Sequence, residues 1–371
     1  MCGNLHGENL KAALITPQTP INKAVKHMDS EAALVVDPQG CLIGLITDGD
    51  IRRAFLAGAA LDTPVSEIMT INPITVPEKT TAMAITALMM QRKIRHLPIV
   101  NKAGRPVALE LLKNKLDDFE PAGAVVMAGG KGTRLRPLTL NTPKPLLKVG
   151  DQTILDNILQ NLRQNGVEDV VLTVNYMAEQ IQQHVGNGQD HDLSVNYVQE
   201  EQELGTAGGL TLLENKPKSS FLVMNGDLLT ELDYRSLINF HRNNNSKMTV
   251  CVRRHKIQVP YGVVQMSDNN LNIDKIVEKP QHEFLVNAGI YMLEPEVLDL
   301  IPKGQFFDMV SLMNTVSANN WEVSAFPILE YWKDIGQHQE IKEARQYCQN
   351  KSLVTPLSPS VPADILVQEV I

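Results

Sequence analysis

The chain has 371 residues, 43% of them hydrophobic and 20% charged, so it can bury large cores and is long enough for two or three domains. Its formal net charge is −8 and its 34 lysines and arginines are scattered with no basic tract, which argues against a broad electrostatic hold on nucleic acid. Cys2, Cys41, Cys251 and Cys348 lie far apart without metal-type or disulfide-framework spacing, and neither a signal peptide nor 18 consecutive apolar residues appear; the expectation is a reduced, cytoplasmic protein with no membrane span.

The amino-terminal part contains an internal repeat. "ALVVDPQGCLIGL" (33 to 45) and "LPIVNKAGRPVAL" (97 to 109) match at an offset of 64, each reading as strand, polar turn with glycine, strand. A helix-like run precedes each hairpin, "PINKAVKHM" and "TTAMAITALMMQRK". After the first comes "TDGDIRRAFLAG", where Thr47 is placed to cap a helix through its hydroxyl.

These runs, with "GLITDGDIRR" and "SEIMTINPITV", resemble the paired CBS (Bateman) module over residues 10 to 118, in copies 10 to 62 and 63 to 118 of a domain spanning 1 to 119. The resemblance implies that Thr47 and Asp50 hold the phosphate and ribose of an adenine nucleotide, chemistry that a hydroxyl and a carboxylate at a strand-to-helix turn can supply. In the second copy the aligned positions are Leu111 and Asn114, so at most one cleft keeps both groups. The alternative is a packing module that glues a dimer without a ligand.

"KNKLDDFEPAGA" turns charged and meets Pro121 and Gly123, which places a domain boundary near 122. From there strands and helices alternate: "AVVMA" strand, "ILDNILQNLRQNG" helix ending at Gly166, "DVVLTV" strand, "MAEQIQQHV" helix, "SVNYVQ" strand, "FLVMNGD" strand, "DYRSLINFHRNN" helix. The strands "MTVCVRR", "YGVVQM", "IDKIVEK" and "VNAGIYML" and the helix "HQEIKEARQYC" follow. This predicts an α/β domain over 122 to 350 with a Rossmann-like wound mixed sheet. The proline-broken tail, 351 to 371, is too short for another domain.

Behind the first strand of this domain comes "MAGGKGTRLRPLTLNTPKPLL". A P-loop would need glycine where Val125 stands and Ser or Thr where Gly132 stands, and a dinucleotide fingerprint lacks its third glycine. What remains is a glycine loop that can bring backbone N–H groups against phosphate oxygens, followed by Arg134, Arg136 and Lys144, an arrangement suited to a flexible triphosphate. Pro137, Pro143 and Pro145 hold the cationic segment extended.

With "ELGTAGGL", "VMNGDLL", "YGVV", "VEKP", "NAGIY" and "WKDIG" in order downstream, residues 124 to about 345 resemble the sugar-1-phosphate nucleotidyltransferases, closest to the GDP-sugar-forming members. The resemblance implies attack by a sugar-1-phosphate oxygen on the α-phosphorus of a nucleoside triphosphate, with Mg2+ as cofactor. It places Ala128, Gly129, Gly130, Gly132, Thr133 and Gly205 around the nucleotide, Arg134 on the outgoing pyrophosphate and Lys144 near the reacting phosphates. Asp227 and Asp334 would hold the metal, Lys279 would grip the sugar phosphate, and Glu278, Gly262 and Asn287 would meet the sugar.

In that family the residues just before "LGTAG" approach the base, which puts Glu200 or Glu201 at its edge. A carboxylate accepts from two donors at once, and guanine offers N1–H and N2–H together, whereas uracil and thymine offer one donor between acceptors. The sequence therefore favours GTP, with a uridylyl- or thymidylyltransferase on a hexose or amino-sugar phosphate as the alternative. A dead regulatory scaffold would show erosion at Arg134, Lys144, Asp227 or Asp334, and all four are present. The sugar is left open. The expected setting is bacterial surface-polysaccharide biosynthesis by a homo-oligomer, dimeric through the CBS pair, partnered by neither nucleic acid nor membrane.

Overall fold

The computed structural model describes residues 2–5, 7–28, 32–112, 123–267 and 271–354. Asn114, the segment 113–122 around the expected boundary and the tail from 355 lie outside the described residues.

The repeat folds as two four-stranded sheets. One joins Leu14–Ile15, Ala32–Val36, Leu42–Thr47 and Thr70–Ile71; the other joins Val76–Pro77, His96–Val100, Pro106–Leu112 and Cys2–Leu5. Both hairpins break register at equivalent positions, Val35/Val36 and Ile99/Val100, which differ by the offset of 64 read from the sequence. A bulge kept at the same place in both copies is a structural trace of duplication. The fourth strand of each sheet arrives from outside its hairpin unit, so the two halves are interleaved rather than strung in series.

The helix Asp48–Leu56 starts where the sequence places it. Thr47 Oγ1 accepts from the Asp50 amide at 3.2 Å while Asp50 Oδ2 accepts from the Thr47 amide at 2.9 Å, a reciprocal cap that satisfies two orphan donors. Leu111 occupies the strand Pro106–Leu112, paired with His96.

Seven strands form the central sheet of the second domain: β1 (Ala124–Met127), β2 (Asp169–Val174), β3 (Ser194–Gln199), β4 (Phe221–Asn225), β5 (Met248–Gln258), β6 (Gln281–Leu293) and β7 (Val323–Pro327). Their order is β3-β2-β1-β4-β6-β5-β7, with β6 antiparallel to both neighbours, so the sheet is mixed, as the alternating pattern predicts. Strand period two sends Ala124, Val126, Leu222 and Met224 to one core and Val125, Phe221 and Val223 to the other. The helix Ile154–Gln164, capped by Thr153 and Asp156, lays Ile158, Leu159 and Leu162 on the first face. The helix Met309–Ala318 covers the second with Met309, Leu312 and Val316.

Two expectations needed tertiary information. The helix Met309–Ala318 and edge strand β7 fall in a stretch the sequence left unassigned. "YGVVQM" and "IDKIVEK" do not join the sheet: Gly262–Met266 and Ile273–Glu278 pair with each other in a separate two-stranded ribbon beyond the long β5–β6 hairpin. Both have strand composition, and only the register of the hairpin that carries them decides which sheet they enter.

Candidate active site

In the sequence β3-β2-β1-β4, consecutive connections leave in opposite directions from β1, and a crevice opens beyond the carboxyl ends of β1 and β4. A cleft of about 310 Å³ lies there. Ala128, Gly129, Gly130, Lys144, Glu200, Gly205 and Asp227, seven of the positions expected at the site, line it. Gly226 must stay glycine at the junction, because a Cβ would stand 2.8 Å from the Met127 carbonyl oxygen of the neighbouring strand.

The centre of charge is Lys144, a buried side chain whose ammonium pairs with Asp227 and lies 3.9 Å from Asp334 Oδ1. The carboxylates come from sequence-distant strands that are tied together. Leu228–Thr230 pairs antiparallel with Trp332–Asp334, and the Ile335 amide donates to the Asp227 carbonyl at 3.0 Å. Burial and the neighbouring Asp227 carboxylate push the Asp334 carboxyl up to about 6, against the opposing pull of Lys144. Asp227 Oδ1 and Asp334 Oδ1 are both buried with no hydrogen-bond partner. Two orphaned carboxylate oxygens facing one cation are the donor set that Mg2+ uses when phosphates and waters supply the rest. Among the described residues no group of three or more His, Cys, Asp or Glu could hold a metal, so any ion here depends on the substrate for its remaining ligands.

On the opposite wall, Glu200 follows β3. Its main-chain carbonyl accepts from Asn175 Nδ2 at 3.0 Å, and one carboxylate oxygen takes a long 3.5 Å contact from the Leu204 amide. Burial raises its carboxyl above the usual carboxylate range. Gly209 leaves room for that carboxylate, since a Cβ would stand 2.6 Å from Glu200 Oε1. Glu201 is exposed and outside the cleft lining, so of the two candidates only Glu200 reaches the cavity.

The other expected residues do not line the cleft. Gly132 and Thr133 open the turn Thr133–Leu135. The Arg134 guanidinium lies beside Gly336 and draws on Asp334. Asn287 donates to Tyr291 Oη at 2.7 Å and accepts from the Gly289 amide, next to Asn225 at the end of β4. Gly262, Glu278 and Lys279 sit on the exposed ribbon, where Gly262 pairs with Glu278 and the Lys279 amide donates to the Tyr261 carbonyl. The described structure does not bring these three to the cleft. Lining residues that the sequence reading missed include Asn175, Thr206, Asn225 and Phe306. Asn175 and Asn225 directly follow or end apolar strand runs, a signal that was available; Phe306 comes from a loop whose place only the fold decides.

A glycine-lined cleft at a topological switch point, with a lysine between two carboxylates, defines a phosphate-handling α/β protein. The family model described as Nucleotidyl transferase matches residues 123–351, and the CBS domain model matches 11–57 and 65–109. The chain belongs to the nucleotidyl transferase family and carries a CBS pair. It is 34% identical over 223 residues to the mannose-1-phosphate guanyltransferase of Yarrowia lipolytica, covering 58% of this chain and 61% of that protein. The Saccharomyces cerevisiae mannose-1-phosphate guanyltransferase is 34% identical over 226 residues, covering 58% and 62%. The chain thus spans about three fifths of the length of these relatives. A solved Bacillus anthracis structure, described as a glucose-1-phosphate thymidylyltransferase with sucrose, shares the fold at TM-score 0.50 and 23% identity, covering 62% of this chain and 95% of that one. Among the described residues no helix is long and apolar enough to cross a membrane.

Proposed function

We propose that the chain transfers a guanylyl group from GTP to a sugar 1-phosphate, with mannose 1-phosphate the first acceptor to test because its relatives carry that name. A phosphate oxygen of the sugar 1-phosphate forms a bond to the α-phosphorus. The bond from that phosphorus to the oxygen bridging to the β-phosphate breaks, and pyrophosphate leaves with the electron pair. The observation that carries this reading is a single cleft holding the glycine loop, the Lys144–Asp227 pair and Glu200.

In this reading the loop amides at Ala128 to Gly130 meet the triphosphate and Arg134 receives the departing pyrophosphate. Lys144 neutralises charge between two anions that repel, and Glu200 accepts from guanine N1–H and N2–H. Asp227 and Asp334 would hold Mg2+, which supplies charge neutralisation on the phosphates when bound. Lys279, Glu278 and Gly262 would contact the sugar, which requires the ribbon to approach the cleft. The amino-terminal pair would take an adenine nucleotide at Thr47 and Asp50 or join two chains, and the protein would act in the cytoplasm.

A matrix of five nucleoside triphosphates against a panel of sugar 1-phosphates, read by pyrophosphate release from the full chain with Mg2+, tests the proposal. Turnover with GTP and mannose 1-phosphate is the expected result. Turnover with UTP or dTTP and none with GTP overturns the base assignment, and release in none of the combinations overturns the reaction. A thermal-shift panel of adenine nucleotides on the full chain tests the amino-terminal pair; no shift with any of them rejects a nucleotide site there.

A further inference from the structure

The first CBS copy is built into the catalytic domain through one buried charge. Arg52, on the helix Asp48–Leu56, is only 1% exposed. Its Nε donates to Asp48 Oδ2 on the same helix at 2.7 Å. Its two terminal nitrogens cross to the other domain, one donating to the Pro327 carbonyl at 2.6 Å and one to Glu330 Oε1 at 3.2 Å. The guanidinium carbon also stacks 3.9 Å above the Phe326 ring. A guanidinium buried with all three nitrogens engaged and a ring beneath it is fixed in geometry, because Arg presents a rigid planar fork.

The segment it holds leads to the site. Ile328 and Glu330 carbonyls accept from Arg253 at 2.7 and 3.0 Å, the Tyr331 carbonyl accepts from the Glu231 amide, and Trp332 Nε1 donates to the Ala288 carbonyl at 2.9 Å. Immediately after, Trp332–Asp334 pairs with Leu228–Thr230, the step that sets Asp334 against Asp227. Glu330 is four residues from Asp334. Leu329, between the gripped carbonyls, packs into the hydrophobic core of the first CBS copy, while Phe326 and Ile328 belong to the catalytic core. Arg254 reinforces the contact from the other side, donating to the Ala59 carbonyl at 2.8 Å and to that of Phe55.

We propose that Arg52 is a positioning residue for nucleotidyl transfer: through Pro327 and Glu330 it fixes the segment that presents Asp334, so the catalytic carboxylate pair is completed by the docked amino-terminal module. This rests on the reading of Asp227 and Asp334 as the metal carboxylates. The buried oxygen of Asp334 makes no hydrogen bond and its contact with the Lys144 ammonium is long at 3.9 Å, so its location depends on where its backbone is held. That backbone is anchored upstream by a side chain from another domain, and displacements of this kind away from the chemistry cost about 10- to 100-fold.

The test compares full-length wild type with Arg52→Met, which keeps the stem and removes the fork, and with Arg52→Lys and Glu330→Gln, which are milder. Arg53→Met, whose parent side chain is largely exposed on the same helix, is the control. Direct Mn2+ binding in the presence of the triphosphate, with the sugar phosphate left out, and hydrogen exchange of residues 326–336 are measured beside kcat and KM. Expected is about tenfold weaker Mn2+ binding and faster exchange in that segment for Arg52→Met, with kcat about tenfold lower and the KM for the triphosphate within threefold of wild type. Arg52→Lys and Glu330→Gln should fall between, and Arg53→Met should match wild type. Wild-type Mn2+ affinity and exchange in Arg52→Met overturn the proposal, as does a uniform loss of stability with metal binding per folded molecule unchanged. If Arg52→Met does not fold, Arg52→Lys and Glu330→Gln decide on the same readouts. If wild type transfers no nucleotide at all, the reaction reading fails on that result, while Mn2+ affinity and exchange still decide the role of Arg52.

Discussion

Replacing Glu200 by glutamine keeps the shape of the cleft wall proposed to face the base and removes one acceptor with its charge. The carboxylate sits beside Gly209 with space for no further atom on that side, and its single amide contact, from Leu204, is long at 3.5 Å. The Thr173 hydroxyl also donates to the carboxylate, and the lone pairs left over face the cleft in a buried setting that favours further donors. Guanine supplies two, and a hydrogen bond to a charged group contributes about 1.5–3 kcal/mol. Losing one and turning the amide N–H toward a guanine donor should lower kcat/KM for GTP by about 10- to 150-fold. A base with an acceptor at the matching position should lose less, so the GTP preference over UTP falls by the same order. Initial-rate pyrophosphate release with both triphosphates measures this, with thermal melting as a check that the fold survives. A GTP-to-UTP ratio within threefold of wild type, in a protein of unchanged melting temperature, would refute the role given to Glu200.

Lys144→Met should lower kcat by about 100- to 1000-fold, the range seen when a single charge-stabilising group is removed, with little change in KM; a drop below tenfold in steady-state assays would contradict it. Gly226→Ala should both destabilise the fold, by roughly 1–3 kcal/mol in denaturant melts, and impair turnover, because the new methyl meets the Met127 carbonyl between the two strands that frame the cleft. Thr153→Ala should cost about 1 kcal/mol by removing a helix cap. For Asp156, burial alone would raise the carboxyl, but hydrogen bonds from Thr153 and from His184 hold it below its ordinary value. The folded value is thus lower than the unfolded one, so this contribution is present above the unfolded value near 4 and lost as pH falls through the folded one. Acid melts of Asp156→Asn should accordingly show a shallower loss of stability below about pH 4 than wild type.

Periodicity and local chemistry determined much of this protein before any contact was known. The 64-residue repeat, the Thr47 cap, the wound series from Ala124 and the glycine loop depend on neighbours within a few residues, and each is found where the sequence puts it. Other features depend on which distant segments meet. No local signal pairs Leu228–Thr230 with Trp332–Asp334 across about a hundred residues, and that pairing brings Asp334 beside Asp227 and Lys144. The two strands of the ribbon bearing Gly262 and Glu278 are legible from their composition, while their pairing with each other outside the central sheet follows from the hairpin beneath them. Arg52 reads in the sequence as one of two arginines on an amphipathic helix. Burial against Phe326 and Glu330, supplied by the other domain, separates it from its exposed neighbour Arg53, since a guanidinium can leave water only where distant groups converge to receive every nitrogen.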